Sequence, residues 1–132
     1  MSTLYLIRGL PGVGKSTLAD SLHVQHVETD MFFILDGVYR FFPSKIKEAH
    51  EWCQARTRQM LADGDVAVSN TFTRRWEMAP YYQMATDGCL RVPPRVVEIT
   101  VNVMATNEEL AARTIHSVPV DTIRAMRERW EA

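Results

Sequence analysis

Gly9-Leu10-Pro11-Gly12-Val13-Gly14-Lys15-Ser16 satisfies G-x-x-x-x-G-K-[ST] at every fixed position. Each residue type has a physical task there. Glycines let the backbone curl until several N–H groups, those of Gly12, Val13 and Gly14 among them, converge on phosphate oxygens. A helix opening at this point adds partial positive charge. Lys15 has the reach for the β- and γ-phosphates of ATP, the Ser16 hydroxyl is a ligand type for Mg²⁺, and Thr17 completes the cofactor-binding set. A second group is Asp30, which closes a short run, His26-Val27-Glu28-Thr29, that reads as a strand. A carboxylate at the end of a strand beside the phosphate loop lies on the rim where ligands bind, and there it can accept the proton of an attacking hydroxyl. The competing role for Asp30 is to cap a short helix at Met31-Phe32-Phe33.

The elements that must position these groups alternate. Leu4-Tyr5-Leu6-Ile7 is a continuous apolar run suited to a strand covered on both faces. After the glycine-rich turn, Ser16 to His23 carries Leu18, Ala19 and Leu22 at helical spacing. Ser44 is placed to cap a long helix whose buried stripe is Ile46, Ala49, Cys53 and Met60-Leu61, with Gly64 as its stop. Val66-Ala67-Val68-Ser69-Asn70 is a third strand, and a helix is expected from about Trp76 to Asp87, with Pro80 in its first turn. A fourth strand runs Val96 to Val101, followed by helices starting near Asn107 and Val120. Strands alternating with helices predict an α/β, three-layer fold: a mainly parallel sheet of about four to five strands flanked by helices.

Composition bounds the rest. The chain has 132 residues, 46% of them apolar, and 15 Lys plus Arg against 16 Asp plus Glu. That predicts one domain over residues 1–132 with a real core, and excludes a globally basic coat or a low-complexity tail. Cys53 and Cys89 lack metal-ligand spacing and suit a reducing compartment. No apolar run approaches the roughly 20 residues of a membrane span, and no basic n-region precedes the first apolar run, so a cytoplasmic chain without membrane contact is expected. Local charge is less even. From Gly37 to Ala62 five basic residues face two acidic ones, and Phe72, Arg74 and Arg75 follow the third strand where an acceptor would lie. Aromatics that stack on bases, interleaved with cations that track phosphates, make these three the substrate-binding candidates. Their alternative is a filled core and a solvated charged face.

With these residues in view, the chain resembles the polynucleotide-kinase-like P-loop kinases, the group of the bacteriophage polynucleotide kinase domain and its relatives. The resemblance lies in Ile7 through Ala19, Glu28-Thr29-Asp30, Ala49-His50-Glu51-Trp52-Cys53, Ser69-Asn70-Thr71, Trp76 through Tyr81 and Val118-Pro119-Val120-Asp121, almost end to end. It implies ATP- and Mg²⁺-dependent phosphorylation of a hydroxyl on a nucleic acid, DNA foremost: a 5′-hydroxyl end, or 5-hydroxymethyluracil as in some phage relatives. It also implies catalytic roles for Lys15, for Asp30 as base, and for Arg113 on a short lid near 113–119, with His116 the weaker candidate for the lid cation. A plain helix-end cation is the alternative for Arg113. Asn70 stands where the group usually carries an aspartate, and is expected at most in the second shell of the metal. Three further readings remain open: a small-metabolite or nucleoside kinase, a nucleotide-dependent nucleic-acid-binding module, and a plain NTPase.

Overall fold

A computed structural model describes residues 2–132. Strand β1 (Thr3–Arg8) leads through the glycine-rich loop into helix α1 (Lys15–Ser21), then β2 (Gln25–Val27) and a 3-10 turn over Thr29–Phe33. A small hairpin of β3 (Ile34–Leu35) and β4 (Val38–Tyr39) precedes α2 (Ile46–Leu61) and β5 (Val66–Asn70). The chain ends with α3 (Ala79–Gln83), β6 (Arg95–Thr100), α4 (Asn107–Arg113) and α5 (Val120–Glu128).

The four strands β2, β5, β1 and β6 pair in that order, all parallel, as the alternation of elements predicts. Alternate residues of β1 and β5 face opposite layers. Leu4, Leu6, Val66 and Val68 pack with Cys53, Met60 and Leu61 of α2, whereas Ile7 and Ala67 pack with Ala19 of α1. Both sheet faces are therefore covered, which is why these strands read as continuous apolar runs. Arg8 of β1 lies opposite Asn70 of β5, and Val27 of β2 opposite Val68, so the three strands finish at one rim.

Three local expectations need correction. Ser44 does not cap α2. It lies inside a 3-10 turn, Pro43–Lys45, that feeds directly into the helix. The helix expected over Trp76–Asp87 is a 3-10 turn, Arg75–Met78, followed by the five residues of α3. Pro80 does sit in the first turn of α3, where its missing N–H costs nothing. The β3–β4 hairpin was not expected, since strands of two residues carry too little alternation to register as a pattern. Among the described residues no helix is long and apolar enough to cross a membrane.

Candidate active site

The phosphate loop leaves β1 at the sheet rim, where Gly9 N–H donates to the Thr71 carbonyl at 3.3 Å. Gly12 and Gly14 take φ of +86° and +102°, a region L-residues rarely adopt. A Cβ on Gly12 would stand 2.4 Å from the Leu110 carbonyl oxygen, so α4 is seated directly on the loop. That helix is held by a capping box: Glu109 N–H donates to Thr106 Oγ1, and Thr106 N–H donates back to Glu109 Oε1.

The loop opens onto a cleft of about 690 Å³. Lys15, Ser16, Thr17, Asp30, Asn70 and Arg113 all line it, as do Gly12 and Gly14. Lys15 Nζ donates to the Leu10 carbonyl at 3.0 Å, folding back on its own loop. Burial lowers its pKa to about 8, with the carboxylates of Glu28 and Asp30 pulling the other way. Arg113 is the last residue of α4 and its exposed side chain reaches the cleft from the 113–119 segment, which lines it throughout. His116 lies in the same segment. Asp30 does not act as a cap. Glu28 holds the position before the 3-10 turn and its side chain makes no cap bond, whereas Asp30 lies inside the turn. Its carboxylate instead accepts a hydrogen bond from the Tyr39 hydroxyl at 3.3 Å.

Glu28 is the residue that sequence reasoning passed over. It accepts a hydrogen bond from the Ser16 hydroxyl. His26 Nε2 lies 3.2 Å from Glu28 Oε1 and 2.6 Å from Ser69 Oγ. Burial raises the pKa of Glu28, but bonds from His26 and Ser16 outweigh that and hold it below the usual carboxylate range. Its only signal was a second carboxylate close to Asp30 in the same Glu28-Thr29-Asp30 run, just past the second strand. Ser16 and Glu28 both offer hard oxygen, and fit Mg²⁺ completed by phosphate oxygens and water.

Asn70 lines the cleft but its side chain is already engaged: Oδ1 accepts the Thr29 N–H at 2.9 Å, and Nδ2 faces Cys53 Sγ at 3.9 Å. It ties the Asp30 turn to β5.

Phe72, Arg74 and Arg75 are not brought to the cleft. Phe72 takes φ of +46°, and that left-handed turn drives its ring inward, 2% exposed, edge-on to Tyr81 at 5.6 Å. Beyond the turn Arg74 and Arg75 run to Glu131 and to Glu98 of β6. Arg75 there grips Glu98 at 2.9 and 3.1 Å, and Arg74 lies 4.0 Å from Glu131. The residues that occupy the expected acceptor wall are Phe33, Tyr39, Phe41 and Ile46, from the unforeseen hairpin and the start of α2.

A family described as an AAA domain, AAA_33, matches residues 4–132. The chain belongs to that family. This AAA domain is 33% identical over 135 residues to human NEDD4-binding protein 2, covering 97% of the chain and 8% of that much longer protein. Among solved structures it is similar to a chain of the Pnkp1/Rnl/Hen1 RNA repair complex, with a TM-score of 0.70 at 16% identity, over 97% of this chain and 43% of that one. It is also similar to a gluconokinase from Sinorhizobium meliloti 1021, with a TM-score of 0.62 at 15% identity, over 98% and 75%. At these identities the AAA domain shares with both a kinase-like P-loop fold.

Proposed function

We propose that this domain transfers the γ-phosphoryl group of ATP to a hydroxyl of a nucleic-acid acceptor. The observation that carries the reading is the convergence of Lys15, Ser16, Asp30 and Arg113 on one cleft. The loop amides and Lys15 bind the donor phosphates, and Lys15 swings from the Leu10 carbonyl to reach them. Ser16 and Glu28 would hold Mg²⁺, which supplies neutralisation of charge on the phosphate oxygens. Asp30 orients the acceptor hydroxyl and takes its proton. Arg113, on a short lid, steadies the transferring group. Positioning and charge neutralisation account for most of the rate, because a loose transition state asks little covalent chemistry of the protein.

A nucleic-acid acceptor is favoured by the wall facing Asp30. Phe33, Tyr39 and Phe41 continue outward into exposed Phe42 (51% exposed), and Arg40, Lys45 and Lys47 are exposed around them. Aromatic faces with flanking cations suit bases on a single strand. The likeness to a chain of an RNA repair complex points the same way. A small polyol or sugar acceptor is the second reading, and the likeness to a gluconokinase favours it.

Labelled ATP offered with 5′-hydroxyl DNA, 5′-hydroxyl RNA, 5-hydroxymethyluracil DNA and gluconate separates these readings by where the label lands. Asp30→Ala is expected to lower transfer by at least roughly a hundredfold while ATP affinity changes little. Transfer retained in Asp30→Ala removes the residue from the base role, and label on gluconate alone overturns the nucleic-acid reading.

A further inference from the structure

Asp30 is covered on the side an acceptor must approach. The Tyr39 hydroxyl donates to Asp30 Oδ1 at 3.3 Å, the only hydrogen bond that the Asp30 side chain accepts among the described residues. Tyr39 closes the β3–β4 hairpin and is held from two directions. Its ring meets Phe33 edge-on at 6.3 Å, and lies face to face with the His116 ring at 3.8 Å and 16°. His116 belongs to the same 113–119 segment that brings Arg113 to the cleft. A phenol keeps its hydrogen at neutral pH and an ionised carboxylate can only accept, so the bond runs from Tyr39 to Asp30. An acceptor hydroxyl has to make this same kind of bond to the same carboxylate.

We infer that the Tyr39 hydroxyl is a stand-in for the acceptor: it occupies Asp30 until a real acceptor displaces it, and so makes the site choose an acceptor hydroxyl over water. The inference rests on the reading of Asp30 as the base. In the reaction to be suppressed, a water oxygen attacks the γ-phosphorus and its proton passes to Asp30. The bond to the bridging oxygen then breaks and ADP leaves with the electron pair. A carboxylate already accepting the phenol hydrogen is a weaker base, and the ring fills the space a water would take. The stack on His116 links this cover to the lid, so an acceptor that enters between hairpin and lid uncovers the base as it arrives. Tyr39 is thus a positioning residue that sets the partition between hydrolysis and transfer.

The experiment compares the wild-type protein with Tyr39→Phe and His116→Ala, using labelled ATP with Mg²⁺, with and without a 5′-hydroxyl RNA oligonucleotide. Free phosphate and labelled oligonucleotide are both counted, and melting temperatures are recorded. Tyr39→Phe keeps the ring and loses the hydroxyl, and it is expected to raise acceptor-independent phosphate release about tenfold or more, with melting temperature little changed. His116→Ala should shift the ratio of hydrolysis to transfer in the same direction, and serves as the readout if Tyr39→Phe does not fold. A purely structural role would lower both products together and leave the ratio alone, and that result overturns the inference. So does a phosphate found on Tyr39 by mass spectrometry, which would make it a substrate. If the wild-type protein labels no acceptor in the panel above, the kinase reading fails and this one with it. That outcome is read from the wild-type arm alone, so the two failures are distinguishable.

Discussion

At the scale of single residues the cleft holds a cation whose burial is only partly compensated. Lys15 loses hydration on folding, and its bond to the Leu10 carbonyl with nearby Glu28 and Asp30 does not restore it, so its pKa falls to about 8. A lysine whose folded pKa lies below its unfolded one binds fewer protons in the folded state. Its burial therefore destabilises the protein fully below about pH 8, and the penalty is relieved as pH rises toward the ordinary lysine value. Lys15→Met should accordingly raise the melting temperature of the ligand-free protein at pH 7, by roughly 3–5 °C for a gain near 1 kcal/mol. The gain should shrink above pH 9. Phosphates favour the charged form, so ATP binding at pH 8.5 should take up a proton. Calorimetry in buffers of different ionisation enthalpy reads that uptake, and proton release would contradict it.

Elements set the loop's shape from outside. Helix α4 is only seven residues long and owes its start to the Thr106–Glu109 capping box, yet its Leu110 carbonyl is the floor under Gly12. Two substitutions test this support at different strengths. Thr106→Ala removes the cap and should cost about 1 kcal/mol of stability, with a small loss of ATP affinity. Gly12→Ala drives a methyl into the Leu110 carbonyl at a backbone angle that disfavours it, and should weaken ATP binding by at least roughly tenfold. Titration calorimetry on both variants checks the order, and equal losses would mean that α4 does not back the loop. The loop, helix α1 and strand β5 were legible in the sequence because each depends on its own residues: glycines at fixed offsets, Leu18 and Ala19 at helical spacing, a five-residue apolar-led run. The hairpin Ile34–Tyr39 was not, because it is held by what it packs on. Phe33 meets Phe41 and Tyr39 edge-on, and His116 meets Tyr39 face-on.

Across the whole molecule, Arg8 joins the two ends of the described chain. It is 1% exposed and stands immediately before the phosphate loop. Its guanidinium donates to the Phe72 carbonyl at 3.1 and 2.7 Å and to the Glu131 carbonyl at 2.5 Å, and lies 4.2 Å from the centre of the Trp130 ring. Glu131 closes the arrangement, its N–H donating to the Thr73 carbonyl at 2.7 Å and its carboxylate accepting the Arg75 N–H at 2.9 Å. Arg8→Met keeps the bulk and leaves two carbonyls without a donor, so a loss of roughly 2–4 kcal/mol is expected. Trp130→Leu keeps apolar bulk while removing the ring face, and should cost less, about 1 kcal/mol. Thermal melts of both variants rank the contributions, and a milder Arg8→Met than Trp130→Leu would refute the assignment.

What the sequence determined by itself was therefore local: the alternation of strands and helices, and the phosphate loop, with Asp30 placed beside that loop although β2 ends at Val27 and Asp30 falls in the 3-10 turn beyond it. Short-range sterics and periodicity suffice for these. Tertiary structure decided which side chains share a cleft. The left-handed turn at Phe72 buries that ring and sends Arg74 and Arg75 toward a partner Glu131, which Arg8 grips across 123 residues of chain. Glu28 reaches Ser16, and Tyr39 covers Asp30 under His116, through contacts between segments that no local pattern relates. Such pairings are won by burial and by satisfied polar groups at long range, and those exist only once the sheet has formed.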